Sequence, residues 1–286
     1  FNSPDQYIAA LKATGFDLLT TSNNHSMDRG DSGVLRTIDI VTQNGLHYNG
    51  TFKSQADRDS IRIYEQNNIR IALLAYSYGT NGVAVPSKKK YLINLIDIKL
   101  IEQDIQKVKS LCDVIIVHYH FGDEYEREPN NYQKEIVQKT IEFGADIIIG
   151  GHPHVLQPVD FFASDVANLD SVFVAYSLGN FVSNQRWRYS DAGAILNFTV
   201  EKNHTSNKVS LNTINYIPTW VYKGNTGTKN EYIILPSGNY NDSTISFLSN
   251  KDRELMQQAF NDSKEVITKY SEIKLRSVVN KPIVAE

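Results

Sequence analysis

The chain has 286 residues, a formal net charge of −3 and 41% hydrophobic residues. These values fit one large soluble domain or two small ones and argue against disorder. The mildly acidic balance argues against a general nucleic-acid binder, whose surface is basic, and no apolar run approaches the roughly 18 residues of a membrane-spanning helix.

The first 150 residues alternate between predicted helices and buried strands. Ser3 is expected to cap a first helix that has Pro4 at its first position and ends before Gly15. Apolar residues at helical spacing predict further helices through residues 34–41, 97–108 and 130–143. Continuous apolar or β-branched runs predict strands at residues 16–20, 61–64, 70–77, 113–117 and 146–149. Apolar strands that alternate with helices indicate an α/β sheet covered on both faces.

The pattern changes after about residue 160. Strands are predicted at residues 172–176, 194–200, 209–216 and 232–235, joined without long helices, and a terminal helix at residues 251–268. We therefore expect one domain over residues 1–245 and a helical extension over residues 246–286 that packs on it.

One arrangement occurs three times along the chain. Asp17, Asp113 and Asp146 each precede a buried strand, and polar residues with histidines follow that strand. Ligands of open α/β sheets bind at the carboxyl ends of the strands, so these three places are expected to converge. They hold five of the seven histidines, namely His25, His118, His120, His152 and His154.

These residue types suit a metal site. Neutral imidazole is the commonest metal ligand, and the side-chain oxygen of Asn24 suits the same divalent ions. His25 could donate a proton, whereas Asn24 and His25 could equally form an ordinary turn in a polar loop. His152 and His154 should point to the same side if their segment is extended. Two ions about 3.5–4 Å apart would polarise a phosphoryl group and supply a hydroxide nucleophile.

Four further residues have two interpretations each. His118 is either a site residue or a structural residue still inside its strand. Glu124 is a ligand, a partner of a ligand or a loop charge. Asp28 either orients His25 or begins a turn, and Asn180 either faces the same crevice or belongs to a simple turn.

Taken in order, the motifs resemble those of the CapA family, the poly-γ-glutamate capsule biosynthesis proteins. Residues 22–30 resemble its Asn-Asn-His-x-x-Asp-x-Gly signature. Residues 120–125 are similar to its His-Trp-Gly-x-Glu-Tyr motif, with Phe121 in place of Trp. Residues 151–158 resemble its Gly-His-His-Pro-His-type loop, with Gly151 where a further His is common. The resemblance extends to about residue 235, through residues 177–181 and 217–221.

The resemblance implies a fold and a site. The fold is that of the calcineurin-like metallophosphoesterases, a two-sheet β-sandwich flanked by helices. The family opens with a strand that ends in Gly-Asp, which does not occur ahead of Phe1, so an N-terminal strand is expected to be missing. The implied cofactors are two divalent ions, Mn, Fe or Zn, with His25 and Asp28 in catalysis. The implied metal ligands are Asn24, His120, His152 and His154.

The resemblance also implies a biological role. It places the chain in the assembly or export of an anionic capsule polymer, with membrane-bound synthase components as partners and no nucleic acid. The implied location is the extracytoplasmic cell surface, through a membrane anchor upstream of residue 1. Two functions follow: a metal-dependent hydrolase acting on the polymer or a phosphoester, or a non-catalytic accessory protein that binds the polymer or a synthase. Residues 186–189, Arg-Trp-Arg-Tyr, form either a basic patch for such a polymer or an amphipathic loop.

Overall fold

The computed structural model describes residues 1–227, 229–271 and 273–275. The chain divides into two compact units. Unit 1 comprises residues 1–121, 135–150 and 163–172, and unit 2 comprises residues 122–134, 151–162 and those from 173 on. The last eleven residues of the expected C-terminal extension, 276–286, lie outside the described residues together with residue 272. The division at residue 245 stays a prediction.

The elements alternate as the sequence predicts. The helices are α1 (Asp5–Ala13), α2 (Gly30–Gln43), α3 (Gln55–Asp59), α4 (Ile98–Lys109), α5 (Asn131–Phe143) and α6 (Asn250–Ile267), with 3₁₀ turns at Ser87–Leu92 and Ser237–Asn239. The strands are β1 (Leu18–Thr20), β2 (His47–Asn49), β3 (Ile63–Gln66), β4 (Ile69–Ser77), β5 (Val114–His120), β6 (Ile147–Gly151), β7 (Val159–Ala163), β8 (Ser171–Ala175), β9 (Ala192–Lys202), β10 (Val209–Asn225), β11 (Asn230–Pro236) and β12 (Lys274–Leu275).

Unit 1 is built on strands whose carboxyl ends carry the polar motifs. β1 and β2 pair in parallel. β3, β4, β5 and β6 are neighbours in that order, with β3 antiparallel to β4 and β4 parallel to β5. Val114, Ile115 and Val117 of β5 are fully buried, which explains the continuous apolar run in the sequence. The register places Ser77 opposite His120, so the segment after β4 starts beside the last residue of β5.

The helices of unit 1 bury one face each. Val34, Ile38 and Val41 of α2 lie in a core cluster with Met27 and Leu46, as the helical spacing of these residues predicts. α2 ends at Gln43, and Gly45 adopts a φ of 70°, a left-handed conformation that stops a helix at little cost. Asp97 caps α4 by accepting a 3.0 Å hydrogen bond from the backbone N–H of Leu100.

Unit 2 contains a mainly antiparallel sheet covered by α6. β10 pairs with β9 and β11 in antiparallel fashion and with β12 in parallel. Trp220 of β10 and Met256 of α6 are completely buried in the cluster between these elements. Ser249 and Asp252 form a capping box at the start of α6, which fixes where this helix begins.

The expected α/β class is confirmed, since several sheets are flanked by helices. The differences between the predicted and the observed elements are local. Pro4, not Ser3, directly precedes α1, and it offers no side-chain hydrogen bond to that helix. β5 continues to His120, so both His118 and His120 lie inside the strand. The short strands β2 and β7 were not predicted. None of the helices in the described ranges combines the length and apolar character needed to cross a bilayer.

Candidate metal centre

The polar loop after β1 is a hydrogen-bonded turn that presents Asn24. The side chain of Asn23 accepts a 2.8 Å bond from the backbone N–H of His25. Ser26 Oγ accepts a bond from the N–H of Asn23 at 2.9 Å and donates one to the carbonyl of Thr21 at 2.8 Å. The interpretation of this loop as an ordinary turn is therefore correct for its backbone. The same turn keeps Asn24 buried, with only 4% of its surface exposed.

Asn24 and His120 face each other, although they are 96 positions apart in sequence. His120 Nε2 lies 2.9 Å from Asn24 Oδ1. Two donor atoms that share one ion at about 2.1 Å with a right angle between them would be about 3 Å apart. The spacing thus fits two adjacent ligands of one divalent ion. The expected convergence of these two motifs is observed, and the ligand roles stay a prediction.

Tyr78 and Asn81 complete this group, and neither was predicted from the sequence. Asn24 Nδ2 donates to Asn81 Oδ1 at 3.2 Å and to Tyr78 OH at 3.4 Å. These bonds fix the amide of Asn24 with its oxygen toward His120. Both residues follow the end of β4, so the rule that selected the other polar strand ends would have found them; their loop holds no histidine to draw attention to it.

His25 and Asp28 lie together in unit 1. His25 Nδ1 is 2.9 Å from Asp28 Oδ2, which confirms that Asp28 contacts the imidazole rather than merely beginning a turn. The Asn81 amide nitrogen lies 3.5 Å from His25 Nε2. His25 and Asp28 also line a surface cavity of about 590 Å³, so a ligand can reach this imidazole.

His118 has a different environment from its neighbours. It lies in β5 opposite Ala75. Burial lowers the pKa of His118 to about 4, because desolvation penalises the charged ring. The imidazole is therefore neutral at pH 7, and its buried Nδ1 has no hydrogen-bond partner within the described residues. These facts favour the structural interpretation of His118 over a role in proton transfer.

A second group in unit 2 consists of Glu124, His152 and His154. One ligand atom of each lies within 4.8 Å of the others, and His154 Nε2 is 4.0 Å from Glu124 Oε1. One carboxylate and two imidazoles form a donor set suited to Zn²⁺, Mn²⁺ or Fe²⁺. The residues present therefore fit a divalent ion. Glu124 lies with the two histidines and is not an isolated charge in a loop.

The backbone that presents this group adopts unusual conformations. The φ angles are 103° at His152, 61° at His154 and 68° at Tyr125. Non-glycine residues reach this region at a cost of about 1–3 kcal/mol each, and such strain is concentrated at functional sites. The expectation of an extended segment at 152–154 is therefore wrong. The two imidazoles converge because the chain turns, with ring centroids 6.1 Å apart.

Asn180 determines which nitrogen of His154 is available. Its Oδ1 lies 3.0 Å from His154 Nδ1, and its Nδ2 donates to the carbonyl of Ser190 at 2.8 Å. Because that donation fixes the amide orientation, Asn180 Oδ1 must accept a hydrogen bond from His154 Nδ1–H. The lone pair of His154 Nε2 then lies toward Glu124. Asn180 therefore supports the candidate site and is not a simple turn residue.

A buried pair of amides holds the loop that carries Glu124. Gln133 Nε2 donates to Gln157 Oε1 at 2.8 Å, and Gln157 Nε2 donates to the carbonyl of Glu126 at 2.9 Å. Gly122 has a φ of 102°, and a Cβ there would lie 2.7 Å from the Gln133 side chain. The loop can follow this path only with glycine at that position.

The segment 186–189 does not present two free cations. Arg188 binds both carboxylate oxygens of Asp262 at 2.9 and 2.8 Å. The guanidinium of Arg186 lies over the ring of Trp220, 5.2 Å from its centroid. These contacts favour the amphipathic-loop interpretation over a basic patch for an anionic polymer.

Comparison with known proteins identifies the family. The family model of the bacterial capsule synthesis protein PGA_cap matches residues 1–185, so this chain belongs to that family. It is 32% identical over 200 residues to the PGA biosynthesis protein CapA of Bacillus subtilis (strain 168), covering 69% of this chain and 50% of that protein. It is 29% identical over 209 residues to the capsule biosynthesis protein CapA of Bacillus anthracis, covering 72% and 49%. The chain thus spans about half the length of the curated relatives it matches, and the resemblance to CapA is confirmed.

A solved structure shares the fold. The chain is similar to a Staphylococcus aureus protein provisionally named a 5′-nucleotidase, crystallised with alpha-ketoglutarate. The TM-score is 0.50 at 14% identity, over 91% of this chain and 44% of that one. This likeness concerns the fold alone. The expected metallophosphoesterase-like class is confirmed.

Proposed function

We propose that this chain is the metal-dependent hydrolytic part of a capsule biosynthesis protein that works at the cell surface. Its substrate would be a phosphoester or a bond of an anionic capsule polymer, and membrane-bound synthase components would be its partners. The observation that carries the proposal is the cluster of Glu124, His152 and His154, whose ligand atoms lie within 4.8 Å of one another on strained backbone.

The proposed cofactors are two divalent ions, Mn, Fe or Zn, one at each group. Asn24 and His120 would hold one ion in unit 1, and Glu124, His152 and His154 would hold the other in unit 2. Such ions, when bound, polarise a phosphoryl group and activate water. The chain's own residues fix the geometry of the ligands: Asn81 and Tyr78 orient Asn24, and Asn180 orients His154.

His25 is the proposed general acid. Its Nδ1 faces the Asp28 carboxylate at 2.9 Å, which orients the ring and directs Nε2 away from Asp28. A proton held at Nε2 is then available to the oxygen of a leaving group. The accessible cavity beside His25 supports this assignment.

Hydrolysis of bis(4-nitrophenyl) phosphate by Mn²⁺-loaded protein tests the proposal. The His25→Ala variant should lose about 10²–10⁴-fold in rate, and His152→Ala should lose activity together with bound metal. His47→Ala is the matched control, because His47 is exposed and contacts Tyr64; its rate should be unchanged. Wild-type protein that binds metal yet hydrolyses nothing, or a His152→Ala variant that still restores capsule in cells, would instead support the accessory function.

A further inference from the structure

Two exposed aromatic side chains lie beside the cluster of Glu124, His152 and His154. Trp187 is 51% exposed and Tyr125 is 40% exposed. Their ring centroids are 5.2 Å apart at an interplanar angle of 64°. Tyr125 also stacks on His154, with centroids 5.8 Å apart. We call Tyr125 and Trp187 the aromatic pair. Large apolar rings left in solvent contribute little to folding, so a binding role better explains their position.

A hydrogen-bonded chain ties the aromatic pair to His154. His154 bonds to Asn180 at 3.0 Å, Asn180 donates to Gln185 Oε1 at 3.0 Å, and Gln185 Nε2 donates to Tyr125 OH at 3.1 Å. The backbone N–H of Tyr125 donates to the carbonyl of Pro153 at 2.7 Å. The ring of Tyr125 is therefore fixed relative to the candidate metal ligand, although part of it is open to solvent.

The charges around the aromatic pair argue against an acidic chain as its ligand. The neighbouring cation, Arg188, is already held by both oxygens of Asp262. Flat ring faces, by contrast, stack on tyrosine and tryptophan whatever the charge of the rest of the ligand.

We propose that the aromatic pair is a subsite for a ring carried by the substrate, next to the group that is hydrolysed. The ligand class is a phosphoester that bears a ring able to stack on an aromatic side chain, either a nucleobase or the C–H face of a sugar ring. This inference rests on the proposed function only for the position of the phosphoryl group. The steps of 5.8 and 5.2 Å from His154 to Tyr125 and on to Trp187 are short enough for one such molecule to reach both places.

Ligand binding to the whole chain tests the subsite. The probes are adenosine monophosphate, glucose 6-phosphate and glycerol 3-phosphate, each titrated with Mn²⁺ present and followed by calorimetry. At least one ring-bearing phosphate should bind about 10-fold or more tightly than glycerol 3-phosphate. The preferred probe tells a nucleobase from a sugar ring. The chain has two tryptophans, and Trp220 is fully buried, so the preferred ligand should also quench the exposed emission of Trp187.

Variants separate stacking from folding. Trp187→Ala should weaken the ring-bearing ligand by about 5-fold or more and leave glycerol 3-phosphate unchanged. Tyr125→Ala should also weaken the ring-bearing ligand by about 5-fold or more, and by more than it weakens glycerol 3-phosphate. Tyr125→Phe, which retains the ring, should preserve the preference even if the alanine variant folds poorly. Phe161→Ala is the matched control, because Phe161 is 37% exposed on β7 and contacts Phe173.

The outcomes distinguish the subsite from the hydrolase. Ring-dependent binding without hydrolysis of any phosphoester would support the subsite and contradict the proposed function. Hydrolysis of phosphoesters with no preference for ring-bearing ligands would support the proposed function and overturn the subsite. Ring-bearing probes that do not bind, or a preference that survives both alanine variants, would also overturn it.

Discussion

At the scale of single residues, the candidate site depends on side chains that orient the ligands. Asn180 contacts His154, and Asn81 and Tyr78 contact Asn24. An imidazole or amide that turns freely presents the wrong atom for part of the time. Partners of this kind typically contribute 10–100-fold to metal affinity or activity.

The first prediction concerns Asn180. Asn180→Ala should weaken Mn²⁺ or Zn²⁺ binding by about 10–100-fold, because His154 loses the acceptor that holds its Nδ1 proton. Competition with a chromogenic chelator measures the affinity. Asn184→Ala is the control, since Asn184 lies in the same loop region and accepts bonds from Lys223 and Tyr232. Equal affinities for the Asn180 variant and wild type would show that Asn180 has no such role.

The sequence predicted several residues of this candidate site but not all of them. The rule that polar residues after buried strands converge selected His120, His152 and His154. It also selected the loop of Asn24, whose side chain lies 2.9 Å from His120 across 96 positions. Tyr78 follows the end of β4 and satisfies the same rule, but its loop holds no histidine and it was passed over. Gln185 lies outside every strand-end motif, and amides in loops are too common to stand out in a sequence. The turn at His152 was missed because left-handed backbone at a histidine has no sequence signal comparable to glycine.

At the scale of elements, two of the three aspartates that precede buried strands have contrasting environments. Asp146 is completely buried and accepts bonds from the backbone N–H groups of Ile115, Asn168 and Leu169 at 2.7, 2.6 and 2.9 Å. Burial raises the pKa of Asp146, and these backbone donors partly oppose the rise. Asp17, in contrast, has 88% of its side chain exposed.

The second prediction follows from that contrast. Asp146→Asn should lower the free energy of unfolding by about 2–4 kcal/mol, because the new NH₂ group would face backbone N–H donors. Asp17→Asn should change it by less than about 0.5 kcal/mol. Urea unfolding of both variants measures the difference. If the two variants proved equally stable, the buried acceptor role of Asp146 would be refuted.

The third prediction concerns α6, which secures two loops of unit 2. Asp262 binds Arg188 through both oxygens, and its backbone carbonyl accepts a 2.9 Å bond from Arg127. Asp262→Ala should lower the melting temperature clearly, since a bidentate charged pair and its tie to Arg188 are lost. Glu265→Ala, one turn away on α6, should cost little, because Glu265 is 74% exposed and 3.9 Å from Arg127. Thermal unfolding compares the two, and a larger loss for the Glu265 variant would contradict the assignment.

The elements themselves were predictable where the apolar pattern was long. The predicted helix at 251–268 matches α6 at Asn250–Ile267, and β5 and β6 follow their continuous apolar runs. β2 has three residues and β7 has a mixed burial pattern, so neither leaves a periodic signal. β10 runs to Asn225, beyond the predicted end at residue 216. Most of residues 216–222 are buried whichever face they are on, so this part lacks the alternation that marks a half-buried strand.

At the scale of the whole molecule, membership of the capsule synthesis family and the metallophosphoesterase-like fold give the site its chemical context. A fold alone does not define an activity. The hydrolytic proposal therefore depends on whether the two groups of ligands bind ions.

The most direct test measures the metal content of the protein. The protein is purified without chelator, reloaded with Mn²⁺, passed through gel filtration and then measured by elemental analysis. The account predicts about two ions per wild-type chain. It predicts about one fewer in His152→Ala and in His120→Ala, and an unchanged content in His47→Ala. Wild-type protein that retains no ion, or His152→Ala protein that retains as much as wild type, would contradict the central claim.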